Sequence, residues 1–210
     1  GDVTPTAALV FAVSLEVVAF VELWVLVNLL SAVLAVSACL FYVFIYTLWL
    51  KRTSKQNIVI GGAAGAVPVL VGWAAVTDSL ALAPWLMFAI IFIWTPPHFW
   101  ALAIRYREDY AAADVPMLPA VETLRHTAVQ ILVYTLVLWA TTLVLAPVAD
   151  LGWIYLGSAI VLGAVFTWMA VRLLRDPTPP LAMRLFTYSI TYLTLLWAAM
   201  AVDVLVEHGL

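Results

Sequence analysis

Seven uninterrupted apolar runs, each roughly 20 residues and so long enough to cross a hydrocarbon core about 30 Å thick, dominate this chain. They fall at 7–27, 30–50, 58–77, 84–104, 127–149, 151–171 and 185–206 of 210 residues. A water-soluble globule is excluded: 66% of the residues are hydrophobic and 10% are charged, whereas a soluble surface needs about 25% charged. Backbone groups inside lipid must be paired within the protein, and the runs lack the two-residue alternation of a barrel, so they read as helices. The fold class expected is an all-α polytopic membrane protein, one transmembrane domain over 1–210.

Charge placement carries more than the net charge of −3, which argues for no nucleic-acid partner. All nine basic residues, Lys51, Arg52, Lys55, Arg105, Arg107, Arg125, Arg172, Arg175 and Arg184, fall in connections on one side of the membrane. That side is cytoplasmic by the positive-inside rule, which also places the N-terminus inside. The opposite loops carry Asp78 and Asp150 without Lys or Arg. The connections near Asn28 and at 147–152 are short, so the spans they join are antiparallel neighbours. The lone Cys39 excludes an intramolecular disulfide and reads as a small buried residue. No cleavable leader precedes the first run, and Gly1 to Thr6 reads as the tail of a cytoplasmic loop with an even number of spans before it. Glu16 and Glu22 lie within the first run, where a carboxylate must be protonated, snorkelling or paired.

Two cytoplasmic segments carry residue types that handle phosphate and metal. In the first, Lys51 and Lys55 share a face if the helix continues past the membrane, and with Arg52 they form a cationic clamp for a diphosphate. Positive-inside anchoring explains the same charges. In the second, Pro96 and Pro97 remove two helix donors, which predicts a break and a cavity. Beyond them His98, Leu102, Arg105 and Asp109 fall on one helix face, with His98 roughly 10 Å below Arg105. A packing histidine is the plain alternative. Asp109, Asp114 and Glu108 are hard oxygen ligands suited to magnesium, and the extended 114–119 segment can fold over the bundle mouth as a lid or serve as a connector. Gly61 and Gly65 make a small-xxx-small pair for close helix packing, and Tyr42, Tyr46 and Trp49 an aromatic stripe, either packing or lining.

Ordered motifs then carry a resemblance. Tyr46-Thr-Leu-Trp-Leu-Lys-Arg, Gln56-Asn-Ile-Val-Ile-Gly-Gly, Gly72-Trp-Ala-Ala-Val-Thr, Trp94-Thr-Pro-Pro-His-Phe-Trp-Ala-Leu-Ala, Asp109-Tyr and Val115-Pro-Met-Leu-Pro resemble the heme O synthase branch of the UbiA-type intramembrane prenyltransferases. The resemblance implies a nine-helix bundle, of which this chain would supply seven and lack the first two helices and the first acidic motif. It implies transfer of farnesyl from farnesyl diphosphate to a vinyl group of heme B, giving heme O, with Mg²⁺ as cofactor. It implies a bacterial-type inner membrane with cytoplasmic active-site loops, and a heme A synthase as a possible partner.

By the same resemblance, Asp109, Arg105 and His98 are the expected catalytic residues. Asp109 and Asp114 are expected to hold metal, and Lys51, Arg52, Lys55 and Asn57 diphosphate. His98, Tyr46, Trp94 and Tyr110 are expected to line the heme or substrate pocket. Asp114 departs from the family, which usually has glycine or another small residue there, so Asp109 ranks above it. The rival readings are a prenyltransferase with an aromatic acceptor, and a transporter or structural membrane subunit.

Overall fold

The computed structural model describes residues 3–207 and Gly209; Gly1 and Asp2 of the expected loop tail lie outside them. All seven expected spans are present as long apolar helical segments. They are α1 (Pro5–Leu26), α2 (Leu29–Leu40) continuing through a π-helical run (Phe41–Leu50) into α3 (Lys51–Thr53), and α4 (Asn57–Thr77). Then follow α5 (Leu82–Arg105), α8 (Leu124–Val148), α9 (Trp153–Arg175) and α10 (Pro179–Glu207). Two short helices, α6 (Arg107–Ala112) and α7 (Leu118–Val121), lie between α5 and α8.

Helix ends follow local chemistry. Thr4, Asn28 and Thr123 cap α1, α2 and α8 by accepting backbone N–H bonds from Ala7, Ser31 and His126. Asn28 also donates its Nδ2 hydrogen to the Ala74 carbonyl at 2.7 Å, which ties the α1–α2 turn to the end of α4. Asp78 and Asp150 take left-handed φ of 48° and 50°, a conformation aspartate tolerates at the sharp turns after α4 and α8.

Helices α5, α8, α9 and α10 close a four-membered ring, each packing on two others. Its core holds Trp100, Ile131, Leu138, Phe166 and Tyr192, all essentially out of contact with solvent. From α5 a row runs outward through α4 to α2 and then α1. Helix α1 buries none of its residues and, among the described residues, packs only on α2.

Three local expectations are corrected. Pro96 and Pro97 do not break the fourth span, because α5 is continuous through both. Proline's fixed φ is already helical, so the loss is confined to the bonds that the Phe92 and Ile93 carbonyls would have accepted. The aromatic stripe loses Trp49: the i→i+5 bonding of the π-run winds the backbone wider than an α-helix, and Trp49 turns outward, 60% exposed. Lys51 and Lys55 do not share a helix face, since α3 stops at Thr53 and Ser54 is extended at φ −134° and ψ 134°.

Candidate functional site

A cavity of about 590 Å³ opens between α2, its π-helical extension, α4 and α5. Gly61, Gly62 and Gly65 of α4 form its floor, Ala38, Cys39, Tyr42 and Tyr46 one wall, and Ile91, Trp94, Thr95 and Phe99 the other. The i, i+4, i+8 spacing of Ile91, Thr95 and Phe99 puts them on one face of α5. Tyr42 and Tyr46 reach it together because the π-run keeps their rings 5.2 Å apart. Cys39 lines this wall half-buried, instead of sitting in a core. The small-xxx-small reading is half corrected: Gly61 admits the Tyr46 ring, but Gly65 faces open space, and the glycine packed on α5 is Gly62, against Thr95.

At the Ile58 end of the cavity the segment after α5 packs against α4 and α5. Met117 is buried with Ile58 and Ala103, and Tyr110, Val115 and Ala120 pack on this group. Ile58 also lines the cavity, whereas Tyr110 of α6, expected in the pocket, packs on the Ile58 group without lining the cavity itself. The 114–119 segment, expected as a lid or a connector, packs on α4 and α5 through Met117 and Val115. It is tied to the basic loop by an exposed ion pair, in which Lys55 Nζ donates to Glu122 Oε1 at 2.7 Å. The lysine charge and its hydrogen bond hold the Glu122 carboxyl below its ordinary range.

The other expected site residues are distributed around this mouth. Lys51 and Arg105 are exposed, at the start of α3 and the end of α5. Arg52 borders a smaller cavity of about 310 Å³, with Asp114, Val115 and Pro116. The three cations thus do not form one clamp: Lys55 is engaged by Glu122 and Arg52 faces the lid. Asn57 is buried and donates its Nδ2 hydrogen to the Lys51 carbonyl at 3.3 Å, so it braces the basic loop. Its Oδ1 is buried without a hydrogen-bond partner among the described residues.

Asp109 is exposed in the first turn of α6, next to Tyr110. The single face carrying His98, Arg105 and Asp109 is interrupted, because α5 ends at Arg105 and Tyr106 leaves helical geometry at φ −107° and ψ 25°. Asp114 sits at φ 53°, a left-handed position that suits glycine. Asp114→Gly is expected to leave stability unchanged or raise it by up to about 1 kcal/mol, and Asp114→Val to lower it by more than that. Thermal unfolding of the two variants checks this.

His98 is turned away from the cavity. Its Nδ1 is 2.7 Å from Ser189 Oγ on α10. Its ring stacks between Trp94 and Phe186, with centroids at 4.2 and 4.6 Å. Trp94 lines the cavity with its ring and donates Nε1–H to the Ser189 carbonyl at 2.8 Å. His98 thus stands one layer behind the wall, as the link that sets Trp94 against α10. His98→Ala is expected to cost about 2–3 kcal/mol through the lost stack between Trp94 and Phe186 and the lost hydrogen bond to Ser189, whose hydroxyl keeps its bond to the Phe186 carbonyl. Thermal unfolding alongside Ser189→Ala measures it.

Sequence reasoning missed Ser189, Thr95, Phe99 and the open face at Gly65. The stripe of Ile91, Thr95 and Phe99 was the available signal for two of them.

The model of the UbiA prenyltransferase family matches residues 1–200. The chain belongs to the UbiA prenyltransferase family. Curated relatives of this UbiA-family chain include three named protoheme IX farnesyltransferase. That of Nostoc sp. is 55% identical over 97% of this chain and 64% of its own length. That of Gloeobacter violaceus is 55% identical over 97% and 67%, and that of Roseiflexus sp. 55% over 97% and 38%. The chain therefore spans between about two fifths and two thirds of the length of these relatives. No solved structure matches it.

Proposed function

We propose that this UbiA-family chain forms the farnesyl-transfer site of an enzyme that converts heme B to heme O, with the basic and lid loops cytoplasmic in a bacterial-type inner membrane. The observation that carries this reading is an apolar cavity directly beneath a mouth built by the Lys51 loop and α6, in a chain 55% identical to protoheme IX farnesyltransferases. An isoprenoid tail suits the cavity, whose surface is apolar apart from the Tyr42, Tyr46, Cys39 and Thr95 side chains and the Trp94 indole. A diphosphate suits the mouth, where Lys51 and Arg105 are exposed and free of ion pairs among the described residues.

Magnesium fits this donor set as a partner of the diphosphate. Among the described residues no three His, Cys, Asp or Glu side chains are grouped to hold a metal ion. Magnesium is commonly bound by one or two carboxylates together with substrate phosphates and water, and Asp109 at the rim offers one such carboxylate. Bound there, the ion would neutralise charge that develops on the leaving diphosphate.

In the reaction, the farnesyl C1–O bond breaks with its electron pair going to diphosphate, and C1 bonds to a heme vinyl carbon. Water then adds to the other vinyl carbon and loses a proton, which completes a hydroxyethylfarnesyl group. Lys51 and Arg105 would receive the developing negative charge. The faces of Tyr46 and Trp94 would border the allylic cation, and the 110–121 lid would exclude water until the carbon–carbon bond has formed. A heme A synthase, as the next enzyme, is the partner expected to take the product. Membranes carrying the protein, supplied with farnesyl diphosphate, magnesium and either heme or 4-hydroxybenzoate, are expected to modify heme. Modification of the benzoate in its place would contradict the proposal.

A further inference from the structure

Three glycines form the cavity floor, and their surroundings differ. A Cβ on Gly61 would collide with the Tyr46 ring, and one on Gly62 would sit 3.0 Å from Thr95. Gly65 borders the same cavity, yet nothing lies within 4 Å of the place where its side chain would begin. Along α4 it is about 6 Å deeper than Gly61 and about 12 Å below Asn57. Open space bordered by the cavity wall therefore lies one turn beneath the Tyr46 ring, where Gly65 is exposed.

We propose that Gly65 sets the length of isoprenoid tail this cavity accepts. The inference rests on the reading of the cavity as the isoprenoid site. A diphosphate held at the cytoplasmic mouth fixes the head of the chain near Tyr46, so the tail runs down the floor and over Gly65. The absent side chain at this position is the space that the later isoprene units occupy. A leucine there would project into that space without meeting protein atoms at its Cβ, so it would shorten the site and leave the helix intact; in a helix interior it is also a better former than glycine. Tyr46 and Gly61, nearer the mouth, would still hold the first units.

The test is equilibrium binding of farnesyl diphosphate and of geranyl diphosphate, one isoprene unit shorter, to the full chain purified in detergent with magnesium. Gly65→Leu is expected to weaken farnesyl diphosphate on the order of tenfold or more, since several buried methylene equivalents lose their place. Geranyl diphosphate should stay within about twofold of the unsubstituted chain, which also shows that the variant folds. Gly65→Ala should give a smaller loss of the same selectivity. Equal weakening of both ligands, or no change in either, would overturn the role of Gly65 while leaving the cavity assignment standing. If the unsubstituted chain binds neither diphosphate, the cavity assignment falls, and this inference with it.

Discussion

Asp109→Asn is expected to lower farnesyl transfer to heme on the order of 10²–10³-fold, with little change in stability. The carboxylate is exposed in the first turn of α6 and, among the described residues, makes no ion pair, so the fold does not depend on it. Its proposed work is at the rim, where a hard oxygen anion and the diphosphate share magnesium. Asparagine keeps the shape and removes the charge, so both magnesium-dependent binding of farnesyl diphosphate and turnover should fall. Steady-state rates across a magnesium titration separate this from a general loss of activity. A variant with the magnesium response of the unsubstituted protein would show that Asp109 holds no metal.

The largest stability effect is expected at the other end of the bundle, at Asp203. This carboxylate on α10 is 1% exposed. It accepts the Gly152 N–H at 2.6 Å through Oδ2 and the Tyr155 N–H at 3.0 Å through Oδ1. A side chain from one helix thereby satisfies two of the N–H groups that the start of α9 cannot pair within itself, and its negative charge lies at the positive end of that helix. Asp203→Leu would strand both donors in a buried site, at an expected cost of about 3 kcal/mol, and Asp203→Asn about half of that. Thermal unfolding in detergent reads the difference. If Asp203→Leu unfolds at the temperature of the unsubstituted protein, this cap does not support the α9–α10 pair.

Why some of this was legible in the sequence and some was not follows from what each signal measures. The length of apolar runs gave all seven spans, because hydrocarbon thickness sets a minimum that few other folds need. The short turn at Asn28 and the extended 114–119 segment were readable for similar reasons, a polar residue between two runs and prolines flanking apolar side chains. The direction in which a side chain points was not readable wherever the helix departed from an α-period. Trp49 left its stripe because of the π-run, and Asp109 left the His98 face because the chain turns at Tyr106. Proline content overstated the disturbance at Pro96 and Pro97, since a helix packed on three neighbours keeps its path with two bonds missing. His98 illustrates the remaining gap: nothing in Trp94-Thr-Pro-Pro-His tells which neighbour the imidazole will meet, and Ser189, 91 residues away, decides it. Asp203 went unread for the same reason, as its partners belong to another helix.

The central claim is that the isoprenoid lies in the α2–α4–α5 cavity with its diphosphate at the Lys51 and Asp109 mouth. Photocrosslinking with a farnesyl diphosphate analogue that carries its reactive group on the tail, followed by peptide mapping, tests it most directly. The account predicts label on Tyr42, Tyr46, Thr95 or Phe99, competed away by unlabelled farnesyl diphosphate. Competable label on the α9–α10 groove around Ser158 and Ala198, with none in the cavity, would contradict it.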